Sequence, residues 1–235
     1  MTKNTPALSE RHFYLWTACL IIAVTFAGFA RTYYLRGLFH TRTLTLFLHI
    51  HGAVMTAWIV LFFVQSLLIA GHRVRLHRHL GVFGACLGAL VVILGCIATL
   101  MAAAREVRGH TDFVTLQLSI LGLELTQMLL FAWSVGAAIW LRQRPDVHKR
   151  YMLLATLCML PNAEVRMLPF IQNNLVILLL WSAVVFFLVG VDAVRRGRIH
   201  ATFFRSAVLA NVALYAAYFG SVTAAWRHFA SRLVV

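Results

Sequence analysis

The run from Leu44 to Ala70 constrains this chain more than any other stretch. It is 27 residues long, and its only ionisable groups are His49 and His51. A helix rises about 1.5 Å per residue, so about 20 apolar residues cross a hydrocarbon core of roughly 30 Å. The run is therefore read as a membrane span. It also carries two imidazoles into the bilayer, where polar groups are expensive and tend to have a task.

Apolar stretches of similar length recur along the chain, which is 61% hydrophobic and 12% charged. Soluble domains are typically about 25% charged. The spans expected are 13–30, 44–70, 80–104, 113–141, 148–168, 174–194 and 206–226, joined by short connections. The prediction is an all-α polytopic membrane bundle of about seven transmembrane helices, in one domain covering 1–235. The first stretch, Phe13 to Ala30, is longer than a signal-peptide core of about 7–15 residues and is read as a retained helix. In the fifth span, Pro161 and Pro169 bracket Asn162, Glu164 and Arg166, so the helix is expected to kink or end there.

Loop charge sets the expected orientation. Segments 71–79, 142–150 and 192–205 each carry a net charge of +3, whereas 105–112 and 164–174 each sum to zero. Basic residues gather on the cytoplasmic side, which puts the N-terminus in the cytoplasm. The same rule, with attraction to anionic lipid, accounts for the formal net charge of +14 and argues against a nucleic-acid partner. One loop departs from the pattern. Arg31, Arg36 and Arg42 fall outside, where Arg31 and Arg42 read either as headgroup contacts or as an anion clamp on haem propionates or a quinone head.

Polar groups inside the spans are the candidates for chemistry. His49 and His51 lie about 200° apart around a helix and face different ways. At least one reads as a metal or haem ligand, with a helix-to-helix hydrogen bond as the alternative. Gln117, Glu124, Gln127 and Ser134 share one face of the fourth span. A carboxyl there must pair, bind a cation or stay protonated. Glu124 is thus a proton-relay or metal-ligating group, or else makes a helix-to-helix hydrogen bond or a salt bridge with Arg166. Glu164 lies at a depth similar to His49 and His51, which implies a polar cavity in the outer half. Candidate metal ligands are His51, Glu124 and Glu164.

The inner side holds a second histidine group. His72, His77 and His79 crowd one loop, and His148 opens a later helix. His79 and His148 offer axial imidazoles for a b-type haem, while His72 and His77 read as a basic loop on lipid. Cys19, Cys86, Cys96 and Cys158 have no paired spacing and read as buried apolar residues. The lysines, Lys3 and Lys149, are not mid-membrane, which sets aside retinal chemistry, and no phosphate-binding glycine pattern occurs.

The element His77-Arg78-His79-Leu80-Gly81 and the element His148-Lys149-Arg150-Tyr151-Met152 carry a resemblance. Over about residues 44–170 the chain resembles a group of bacterial multi-pass inner-membrane proteins with HRxLG and HKRxM elements. The second element is similar to one in membrane proteins of cytochrome oxidase assembly, and the general plan resembles transmembrane b-type cytochromes. The resemblance implies a bacterial inner-membrane location, haem b or a transition metal as cofactor, and His51, His79 and His148 as its ligands. Respiratory complex subunits or a quinone are the implied partners. Three readings stand: a haem- or metal-binding protein of respiratory electron transfer or oxidase assembly, a proton-coupled transporter or channel using Glu124, and a non-catalytic subunit of a membrane complex.

Overall fold

The computed structural model describes residues 6–41, 43–110, 113–171 and 173–234. Every regular element among these is helical. The helices are α1 (Pro6–Phe29, continued by a π-helical turn Ala30–Tyr34), α2 (Leu46–Ala70), α3 (Val74–Gly109), α4 (Val114–Trp140), α5 (Pro145–Leu157), α6 (Pro161–Met167), α7 (Asn174–Arg196), α8 (Ala201–Ser221) and α9 (Ala224–Val234). Six segments are long and apolar enough to cross a membrane: His12–Tyr34, α2, α3, α4, α7 and α8.

Local chemistry sets the ends. The side chains of Thr45, Asn173 and His200 accept the N–H groups of Leu48, Leu175 and Phe203 at the starts of α2, α7 and α8, satisfying donors that a helix leaves free. Pro145 and Pro161 open α5 and α6, where a missing N–H costs nothing. α7 stops at Gly197, whose φ of +69° suits glycine.

The interior is built on large side chains with almost no exposure. Trp58 of α2 packs edge-on against Phe131 of α4, with ring centres 4.8 Å apart. Its indole N–H donates to Thr156 of α5 at 3.3 Å. Trp181 and Phe203 are fully buried beside them. The outer surface is apolar too: Leu129, Phe187, Val82 and Val212 are all at least 60% exposed. An apolar surface this extensive is suited to lipid rather than water. Trp16 and Trp140 stand out from it at 72% and 84% exposure, as interfacial anchors do.

The break between α5 and α6 has a stated cause. The Leu157 carbonyl would accept the N–H of residue 161, but that residue is proline. Trp181 Nε1 of α7 donates to this carbonyl instead, at 2.7 Å. Just beyond, Gly28 of α1 lies so close to the Ala163 backbone that a Cβ would collide with it. The expected fifth span is thus two short helices, joined by residues 158–160 and locked by α1 and α7.

Other boundaries differ from those read in the sequence. α3 has 36 residues, about 54 Å of helix, and overruns the expected 80–104 at both ends. The last span is 201–221 rather than 206–226, and α9 follows as a separate helix. α9 folds back onto the far end of α3 and the start of α4, where Ala230 and Val234 meet Ala103, Leu118 and Leu121. Trp226 donates to the Leu118 carbonyl at 2.7 Å and packs inward.

Candidate functional site

The helices assemble polar groups at two levels. α3 links them: Thr99 lies 22 residues after His77, about 33 Å along the axis, roughly the thickness of a hydrocarbon core.

At the Thr99 level, α2, α3, α4 and α6 converge. Thr99 Oγ1 donates to Glu124 Oε2 at 2.8 Å. Asn162 Nδ2 donates to Gln127 Oε1 at 3.4 Å. Arg166 donates to the Asn162 carbonyl at 2.6 Å and lies over the Phe29 ring, 4.6 Å from its centre. Its charge reaches both Glu124 and His51. His51 stacks near Phe47 and leaves a buried Nδ1 with no partner. Gly95, next along α3, lets the Met128 sulfur of α4 lie against the backbone. His51, Glu124, Gln127, Asn162 and Arg166 therefore share one region.

The remaining outer candidates lie elsewhere. His49 is exposed, its carbonyl accepting from the Tyr33 hydroxyl at 3.1 Å. Glu164 sits two residues from Arg166, about 200° around α6, and lines a groove against α1 and α7. Arg31 is exposed in the π-helical turn, 5.5 Å from the Phe39 ring centre. Arg42 lies outside the described residues. Among the described residues, no three or more His, Cys, Asp or Glu side chains gather around one point fit for a metal. His51, Glu124 and Glu164 thus form no such triad.

At the other level, the imidazole facing His148 is His77, two residues before His79. Their ring centres are 6.2 Å apart and their planes meet at 88°. His148 Nδ1 lies 2.8 Å from the Ala138 carbonyl. A carbonyl only accepts, so Nδ1 carries the hydrogen and Nε2 keeps a free lone pair. His77 Nδ1 is buried without a partner. Gln65 Nε2 donates to the His77 carbonyl at 3.3 Å, and the Gln65 Oε1 is also buried and unpartnered. His79 is exposed on α3. Because α3 begins at Val74 rather than near residue 80, His77 is already helical, and a two-residue step turns His79 away from it.

Beside the histidines lies an ion-pair network absent from the sequence reading. Arg150 of α5 is fully buried and Asp192 of α7 is 3% exposed. The guanidinium grips both carboxylate oxygens, with Nη2 at 2.6 Å from Oδ1 and Nε at 3.0 Å from Oδ2. It also donates to the Asp146 carbonyl. His200 Nε2 donates to Asp146 Oδ2 at 2.8 Å, while its Nδ1 accepts from Phe203 N–H. Partial burial pushes the Asp146 carboxyl up, but the His200 hydrogen bond and the charges of Arg150 and Arg196 outweigh it and hold the group below its ordinary value. Both Arg150 and Asp192 read as loop charges in the sequence. The signal that they pair is that each lies within a turn or two of buried apolar residues.

No protein-family model, no curated protein and no solved structure matches this chain.

Proposed function

We propose that the chain is a bacterial inner-membrane protein that holds a redox-active metal, as haem or as a transition ion, between His77 and His148. One observation carries this reading: the 6.2 Å separation of the two ring centres. His77 of α3 and His148 of α5 are the two residues that would hold such a group, each bringing an imidazole from a different helix. The Nδ1–H bond from His148 to Ala138 is the kind of outer contact that fixes a ligating imidazole. Buried, unpartnered atoms on His77 and Gln65 give a polar reason for a bound group. When bound, the metal supplies one-electron chemistry. The chain's part is to orient the two imidazoles, keep them from water, and set Arg73, Arg75, Arg78, Arg142 and Arg144 nearby for propionates or anionic lipid.

In this reading α5 and α6 together make a seventh crossing. The pairing of Asp146 with His200 supports it, since the start of α5 then shares an end with the turn between α7 and α8. The basic loops of that end face the cytoplasm, with the N-terminus on the same side. A quinone and respiratory complex subunits are the partners this chemistry calls for.

The test is a reduced-minus-oxidised visible spectrum and elemental analysis of the purified protein in detergent. A haem band or one bound metal ion per chain is expected. A protein with neither, isolated after growth with added haem precursor and metals, ends the proposal.

A second reading has its own support in the Glu124 cluster. A carboxyl bonded to Thr99 and within reach of Arg166 is suited to a proton-coupled path. Proton flux through reconstituted protein that disappears in Glu124→Gln would favour it.

A further inference from the structure

Glu164 stands apart from both clusters. The residue is 9% exposed, and its Oε2 is buried without a hydrogen-bond partner. It lines a groove of about 420 Å³ between α1, α6 and α7. The other walls are Val24, Met167, Leu168, Leu180, Ala183, Val184 and Phe187, all apolar. Met167, Leu180 and Phe187 are 42%, 38% and 69% exposed on the apolar flank of the bundle, so the groove opens sideways rather than to the ends. Its volume falls within the roughly 300–1,000 Å³ of small-molecule sites.

A single unpartnered carboxyl oxygen in an apolar groove selects its occupant. The body must be apolar, and the head must donate one hydrogen bond. Beside a neutral carboxyl, whose carbonyl-type oxygen only accepts, an ammonium head would carry an uncompensated charge into hydrocarbon. A hydroxyl supplies the missing hydrogen at lower cost.

We infer that the α1–α6–α7 groove binds a lipid-soluble hydroxyl compound, its apolar body against Val184 and Phe187 and its O–H donating to Glu164. A hydroquinone and a diacylglycerol share this chemistry. The site stands whether or not His77 and His148 bind a metal.

A hydrophobic carbodiimide reads the site directly. The Glu164 carboxylic O–H adds across one C=N bond, giving an O-acylisourea that peptide mass mapping locates. In the full chain reconstituted into nanodiscs, Glu164 is expected to label. Decylhydroquinone or dioctanoylglycerol should slow labelling at least tenfold, while decane and the dimethyl ether of the hydroquinone should not. Protection by the hydroquinone alone assigns the site to a redox lipid, and protection by the diacylglycerol alone assigns it to a bilayer component. Equal protection by decane or the ether, or absence of labelling at Glu164, overturns the inference. Ala183→Phe fills the groove from its exposed side and leaves the carboxyl intact. It should abolish protection by either hydroxyl compound, and undiminished protection in this variant would equally overturn the proposal.

Discussion

Arg150 and Asp192 form a bidentate ion pair inside the bundle, linking α5 to α7 at 2.6 and 3.0 Å with both side chains closed off. Burying two charges is costly, and the pair is sustained by its geometry and by the extra bond from Arg150 to the Asp146 carbonyl. Removing one partner leaves the other buried and uncompensated. Asp192→Ala is expected to lower stability by about 3–5 kcal/mol, whereas Arg150→Met combined with Asp192→Leu should recover most of that loss. Thermal unfolding of the natural protein, the single variant and the double variant in one detergent measures it.

The bond from Trp181 to the Leu157 carbonyl yields a second test. Leu157 also accepts from Leu160 N–H at 3.1 Å, so losing the indole leaves the oxygen partly served. Trp181→Phe should therefore cost about 1 kcal/mol beyond its change in packing. With Pro161→Ala in place, residue 161 regains an N–H, and the same substitution should cost less. Equal costs in both backgrounds would detach the Trp181 bond from the proline break.

These two contacts mark where legibility ended. Six of the seven expected spans were readable because apolar length is a property of each segment alone. The gathering of His51, Glu124 and Arg166 was readable in outline, because depth in a bilayer follows from position along a span. Facing was not readable. His77 and His79 lie in one basic loop pattern, and choosing between them requires knowing that α3 starts at Val74 and which side meets α5. Arg150 and Asp192 looked like loop charges because each sits near the end of an apolar run. α9 went unseen because the turn at Val222 and Thr223 carries no proline, and its apolar face is short.

His77 and His148 should behave as a pair. If they share a metal, His77→Ala and His148→Ala each remove the bound group, while His79→Ala and His49→Ala leave it in place because those side chains are exposed. Metal content and the visible spectrum of each variant decide this. Loss of the bound group in His79→Ala with retention in His77→Ala would reverse the assignment of the inner ligand.

Acid should weaken the junction of α5 with α8 through Asp146. Its folded value lies below the ordinary one, so its contribution to stability is present above the unfolded value of about 3.9 and is lost as pH falls through the folded value. The stability difference between the natural protein and Asp146→Asn should thus hold steady from neutral pH to about 5 and shrink below about 4. The group is 48% exposed, so the difference is small and salt-sensitive. Melting temperatures of the two proteins across this range, at low and high salt, test both statements. A difference that persists undiminished below about pH 4 would contradict a depressed Asp146 carboxyl as its source.

Glu124→Gln separates the outer cluster from the inner one. Glutamine keeps an oxygen that accepts from Thr99, so the bond at 2.8 Å survives and the fold should lose about 1 kcal/mol or less. The ionisable group facing Arg166 is removed. Thr99 and His77 are separated by about 33 Å along α3, so on the proposed reading a spectrum set by His77 and His148 should not change. A changed spectrum would mean that the two levels are coupled through α3 or α4. An unchanged spectrum with lost proton flux would give the outer cluster its own task, separate from the bound group at the inner end.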